Sequence, residues 1–255
     1  KQLVDSKDWF SHERYQQLST EQQQSVVFIV QDSFTTSFEA ELVQDSLKAL
    51  KGLGYLPMLL PLHANGKPQH VKGFLTKFKK TATQASHYFS EIASYGRPMV
   101  GLDASMVLTY RDEDTKVLEE AKLQYNIQLL SEWLVKEPLS PLQVADISTP
   151  EFKVLNHCTE KSLLNDSIAH WPQIFSQLGL SATHQPVGCC GMAGTFGHEK
   201  TNQQASVELY DLSWRTVVEQ GEQPVLATGF SCRCQAKRIS QQTLQHPIQV
   251  LAKLF

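Results

Sequence analysis

The chain has 255 residues, 41% of them hydrophobic and 19% charged, with a formal net charge of −3. That length builds one large domain or two small ones without staples, and a faintly acidic balance gives no reason to expect a nucleic-acid partner. No apolar run reaches the roughly 20 residues of a membrane span, and the first residues show neither an initiator Met nor a signal peptide.

Val26–Val30 is wholly apolar and rich in β-branched residues, the pattern of a strand buried on both faces of a parallel sheet. Leucines at helical spacing predict a helix over 37–53, closed by Gly52 and Gly54. Residues 55–60 predict a second strand, 67–95 a long lysine-rich helix broken near its middle, and 98–101 a third strand. A connection over 116–150 is expected to hold a helix at 127–135 and a proline-containing linker at 138–150. The same order then recurs, with strands at 152–156 and 224–227, an extended stretch at 181–187, and helices at 163–178 and 199–220.

One offset of 126 relates the halves, setting Cys158 on Asp32, Cys189 on His63 and Cys232 on Met106, and Pro224 on Pro98. This predicts an α/β chain of two pseudo-repeated, Rossmann-like β/α units with short parallel sheets. The first unit is 1–115 and lacks cysteine, 116–150 connects, and the second, 151–255, holds all five cysteines. Ligand sites of parallel sheets gather beyond the carboxyl ends of the strands. Cys158, the pair Cys189–Cys190, and Cys232 all fall there, with Cys234 close by.

An odd number of cysteines excludes a complete set of internal disulfides, and a reducing, cytoplasmic setting is expected. Thiolates are soft ligands that suit zinc and iron–sulfur clusters. Gly188, Gly191, Gly194 and Gly197 recur every third residue around the cysteine pair, which lets backbone wrap closely around a bulky group and aim N–H donors at sulfur. The paired CxxC knuckles of a structural zinc site are absent, as are phosphate-binding glycine spacings. His157 and His198 are further candidates, each as readily structural. The lysines of 72–80 read as a solvated helix face, with an acidic docking partner as the sharper alternative.

The string Pro186-Val-Gly-Cys-Cys-Gly-Met-Ala-Gly-Thr-Phe-Gly197, with Cys158 before it and Ala227-Thr-Gly-Phe-Ser-Cys-Arg-Cys-Gln235 after it, resembles the cysteine-rich CCG domain. That domain occurs in heterodisulfide reductase, the glycolate oxidase iron–sulfur subunit, and FAD-linked D-2-hydroxy-acid dehydrogenases. The resemblance covers two repeats over about 26–240 and is specific at Cys189–Gly197. It implies an electron-transfer region, without dehydrogenation by this chain alone, in an oxidoreductase acting on a D-2-hydroxy acid such as D-lactate or D-2-hydroxyglutarate. Cys158, Cys189, Cys190 and Cys232 would hold an iron–sulfur cluster, with Cys234 a spare or fifth ligand; zinc is the alternative ion. FAD and a further [4Fe–4S] cluster would belong to flavin and ferredoxin-like domains N-terminal to this chain. The acceptor would be a quinone or another carrier, and the location cytoplasmic or peripheral to the inner membrane. The chain departs from the family in ending Cys232-Arg-Cys234 rather than CxxC, and in carrying no cysteine in its first repeat.

Overall fold

The structure, a computed structural model, describes residues 5–118, 124–141 and 150–255. It divides into two compact units, 1–133 together with Phe255, and 134–254. Each is a short parallel sheet flanked by helices. The proline-containing segment expected at 138–150 lies mostly outside the described residues.

In the first unit α1 (His12–Gln16) and α2 (Thr20–Gln24) lead into β1 (Val26–Val30), α3 (Ser33–Phe38), α4 (Ala40–Gly52) and β2 (Leu56–Leu59). After these come α5 (Lys67–Val71), α6 (Leu75–Ala93), β3 (Met99–Gly101), α7 (Ala104–Arg111), α8 (Glu113–Leu118), β4 (Ile127–Leu129) and α9 (Leu130–Leu134). The sheet order is β2-β1-β3-β4, parallel throughout. β1 is buried at all five positions, as a central strand covered on both faces must be. Two expectations are corrected. The helix expected at 127–135 begins as a strand, because Ile127 and Leu129 pair with the edge of β3 before the chain turns into α9. The lysine-rich helix breaks near its start, where Gly73 takes φ +75°.

The second unit holds β5 (Phe152–Leu155), α10 (Cys158–Leu163), α11 (Ser167–Gln177) and β6 (Ala182–His184). They are followed by α12 (Gln203–Asp211), α13 (Trp214–Gln220), β7 (Val225–Ala227), α14 (Phe230–Ser240) and α15 (Pro247–Ala252). The sheet order β6-β5-β7 repeats β2-β1-β3. Where the first unit has β4, a single parallel bridge joins Leu226 to Gln245.

The structure sharpens the repeat. Leu60 N donates to Ile29 O as Gln185 N does to Val154 O, and Tyr55 N donates to Leu50 O as Leu180 N does to Phe175 O. The offset is therefore 125 up to the second strand. It becomes 126 at the third, since Phe28 pairs with Met99 but Lys153 with Val225. The helix caps agree: Asp32 caps α3 as His157 caps α10, and Asp103 precedes α7 as Gly229 precedes α14. Gly66 and Gly191 both take positive φ. Cys158 thus corresponds to Ser33 rather than Asp32, and Cys189 and Cys190 to Ala64 and Asn65 rather than His63. Met106 keeps its match to Cys232. A uniform offset misplaced the first two anchors by one residue.

The first unit also buries carboxylates. Burial, and then the charge of Asp103, push Asp32 up to about 6 although Phe34 N, Thr35 N and Thr35 Oγ1 donate to it. Asp114 is fully buried, both of its oxygens lack a hydrogen-bond partner among the described residues, and burial raises it to about 7 from 3.8. Folding therefore retains a proton that the unfolded chain releases near 3.8, so stability falls as pH rises from there through about 7. Asp114→Asn is expected to raise the melting temperature at about pH 8 and to flatten its fall between about pH 5 and 8. Calorimetry across that range checks it, and an unchanged slope would remove Asp114 as the source.

Candidate functional site

The three connections that leave β5, β6 and β7 carry Cys158, Cys189–Cys190 and Cys232 respectively. Cys158 opens α10, directly after the cap residue His157. The His157 ring accepts from Thr159 N through Nδ1 at 3.2 Å, and its own backbone N donates to Thr228 Oγ1 at 2.9 Å. A buried polar chain lies behind this turn. Thr228 Oγ1 donates to Glu160 Oε2 at 2.6 Å, Asn156 Nδ2 donates to Glu160 Oε1 at 3.0 Å, and Asn156 Oδ1 lies 2.9 Å from His184 Nδ1. The network ties the end of β5, the first turn of α10 and the end of β7 into one piece. A Cβ on Gly229 would stand 2.3 Å from the His157 ring, so only glycine lets β7 lead into α14 at that distance.

The loop after β6 is held by its backbone. Gly188 N donates to Ser213 Oγ at 2.9 Å, and Trp214 Nε1 donates to Gly188 O at 3.1 Å. The helix expected over 199–220 is two helices, and the interruption between α12 and α13 delivers both side chains to Gly188. Lys161 Nζ donates to Val187 O, Ser206 Oγ to Gly191 O, and Arg238 to Gly197 O. Gly191 has φ +82°, and a Cβ there would lie 2.2 Å from the Ser206 carbonyl oxygen. Gly194, in contrast, sits exposed with open space around it.

The sulfurs form a chain of contacts. Cys189 accepts hydrogen bonds from the thiols of Cys158 and Cys190, and from Gly191 N at 3.4 Å. These donors, led by Cys158, hold Cys189 far below the ordinary thiol range, while Cys158 and Cys190 are pushed up, chiefly because each keeps its proton in a hydrogen bond to Cys189. Cys190 also bonds Cys232, and both are buried in an apolar cluster with Leu155, Met192, Tyr210 and Trp214. The four candidate ligands are thus linked in pairs, Cys158 to Cys189, Cys189 to Cys190 and Cys190 to Cys232. Cys234, two residues past Cys232, is turned about 200° around α14 and lies on its half-buried flank. His198 ends a short 3₁₀ turn beyond the loop.

Among the described residues, no three His, Cys, Asp or Glu side chains form a finished metal cage. As a donor set the four thiols still fit a thiophilic metal or cluster, which takes thiolates and would replace the S–H···S bonds that now link them. The first unit presents the same positions without that chemistry: Asn65 Nδ2 lies 3.0 Å from Met106 Sδ, the counterpart of the Cys190–Cys232 contact. Asn65 was invisible to a uniform offset; the shared positive φ of Gly66 and Gly191 is the signal that finds it.

Comparison with known proteins agrees with a dehydrogenase relationship. D-2-hydroxyglutarate dehydrogenase of Pantoea ananatis is 43% identical over 244 residues, covering 95% of this chain and 24% of that protein. The Escherichia coli protein of the same name is 40% identical over the same length and with the same coverage. The chain is similar, nearly end to end, to one segment of these D-2-hydroxyglutarate dehydrogenases. It spans about a quarter of the length of each of these two proteins. One subunit of the anaerobic glycerol-3-phosphate dehydrogenase of Escherichia coli is 26% identical over 225 residues, 84% of this chain and 55% of that protein. A crystal structure of a hypothetical protein from Helicobacter pylori has the same fold, with TM-score 0.52 and 14% identity over 90% of this chain and 49% of that one. No family model matches. No helix among the described residues is long and apolar enough to cross a membrane.

Two outcomes follow from the geometry. At about pH 6.5, iodoacetamide should label Cys189 ahead of Cys158 and Cys190; peptide mass spectrometry reads the order. Gly191→Ala should cost roughly 2–4 kcal/mol in denaturant unfolding, and Ser206→Ala should not relieve it because the obstructing atom is backbone.

Proposed function

We propose that this chain is the electron-transfer region of a larger FAD-linked oxidoreductase acting on a D-2-hydroxy acid, with D-2-hydroxyglutarate favoured by its relatives. The observation that carries the reading is the convergence of Cys158, Cys189, Cys190 and Cys232 through mutual sulfur contacts at the carboxyl end of one parallel sheet. These four would hold an iron–sulfur cluster. A bound cluster supplies one-electron chemistry at a potential set by charge, hydrogen bonds to sulfur and solvent access.

This chain's own residues would do the rest. Gly191 N already donates to the Cys189 sulfur, a bond that favours the thiolate. The apolar cluster around Cys190 and Cys232 would keep water from one side, and the Glu160 network would fix the turn that carries Cys158. The flavin and a ferredoxin-like cluster would be supplied by other domains of the full-length protein, and electrons would leave to a quinone or similar carrier. The two units would be a cysteine-free and a cysteine-bearing version of one CCG repeat.

The test is anaerobic reconstitution of the 255-residue chain with iron and sulfide. Bound iron and sulfide with an EPR signal on reduction are expected, and Cys189→Ser combined with Cys190→Ser should abolish them. Absence of iron after reconstitution would sink the reading. One equivalent of zinc with no visible absorbance would replace it with a zinc-stabilised docking domain. Without metal, reversible disulfide formation centred on the Cys189 thiolate would make the site a thiol–disulfide couple.

A further inference from the structure

The backbone that leads into Cys189 is gripped from two directions. Gly188 N donates to Ser213 Oγ at 2.9 Å and Gly188 O accepts from Trp214 Nε1 at 3.1 Å, both from the break between α12 and α13. The carbonyl of the same Val187–Gly188 peptide group accepts from Lys161 Nζ, which comes from α10, the helix that Cys158 opens. Lys161 follows Cys158 by three residues, so the two share one face of α10. From that face Cys158 donates to the Cys189 sulfur, and Lys161 donates to the carbonyl two residues earlier in the same loop. Thiol and ammonium thus form two adjacent rungs between one helix and one loop. Burial, and then the Lys161 charge, hold His184 at the end of β6 below the ordinary histidine range.

The cysteine-free unit supplies the comparison. At the offset of 125, Lys161 corresponds to Thr36 and Val187 to Leu62. Thr36 Oγ1 donates instead to Gln31 Oε1 at 3.0 Å, and Leu62 is 46% exposed where Val187 is 9%. The frame therefore folds without this rung, and the rung is present where the thiols are. A half-buried ammonium is also a costly way to hold a loop, since a neutral donor closes the same bond without desolvating a charge. A positive charge is useful there once several thiolates gather.

We propose, building on the iron–sulfur reading of the site, that Lys161 is its positioning residue: it clasps the Cys189 loop to the helix of Cys158, and its ammonium offsets the negative charge of thiolate ligands and reduced cluster.

The test compares Lys161→Met, Lys161→Arg and Ser213→Ala in the 255-residue chain after anaerobic reconstitution with iron and sulfide. Lys161→Met should bind iron about tenfold or more weakly. Its midpoint potential should also fall, because the reduced form loses a nearby positive charge. Lys161→Arg keeps charge and donor and should restore both. Ser213→Ala loosens the same peptide group without removing a charge, so it should weaken iron binding and leave the potential in place. A potential unchanged in Lys161→Met, or lowered as far by Ser213→Ala, would overturn the proposal.

A metal-free arm separates the clasp from the cluster. In the apo chain diamide should join Cys158 to Cys189, taking up the two electrons and two protons that the thiols lose, and peptide mass spectrometry locates the bond. Lys161→Met should slow that pairing about tenfold by letting the two segments drift apart, and Lys161→Arg should restore it. If the parent holds no iron but the pairing slows as expected, the clasp stands and the iron–sulfur reading falls. Equal pairing in Lys161→Met, or no Cys158–Cys189 pairing in the parent, would remove the positioning role whatever the metal.

Discussion

The approach of Gly191 to the Ser206 carbonyl is the constraint on which the sulfur site depends. With a Cβ position 2.2 Å from that oxygen, the loop after β6 packs against α12 more closely than any other residue permits. Ser206 Oγ fixes the distance by donating to Gly191 O, while Gln235 Nε2 from α14 donates to both oxygens of Ser206. One serine thus joins the cysteine loop to the helix that carries Cys232. The glycine N–H is left pointing at Cys189.

A second device aligns the remaining ligand. Glu160 is buried with Asn156 and Thr228 as donors, so it ties the ends of β5 and β7 together around the first turn of α10. A buried carboxyl group whose two oxygens both accept hydrogen bonds holds its surroundings firmly, because any displacement leaves buried polar atoms unpaired. Cys158 therefore sits on a turn whose position is set from behind by polar contacts. Cys190 and Cys232 sit against apolar side chains instead. Cys189, half-buried and in contact with both Cys158 and Cys190, links the two environments.

The duplicated unit shows what the same frame does without thiols. Its equivalent positions hold Ser33, Ala64, Asn65 and Met106, and an amide-to-thioether contact stands where two cysteines meet in the other unit. The caps differ in kind: Asp32 and Asp103 repel one another in the first unit, whereas His157 packs on Gly229 in the second. A frame shared down to the positive φ of Gly66 and Gly191 thus carries two different chemistries.

Sequence alone determined the α/β class, the repeat and, to within one residue, the starts of six of the seven strands described, because apolar runs and glycine punctuation are local signals. It misjudged features fixed by pairing. Ile127 and Leu129 become a strand because the edge of β3 is open to them, and the helix expected over 199–220 breaks because Ser213 and Trp214 are drawn to Gly188. The one-residue change in offset was hidden because it falls in the weakly matching stretch between Gly191 and Val225, and only hydrogen-bond register exposes it. Tertiary structure likewise decided which cysteines meet. Loops 31 and 42 residues apart in sequence converge only once three strands lie side by side, and the helical twist that brings Cys232 to Cys190 carries Cys234 to another flank.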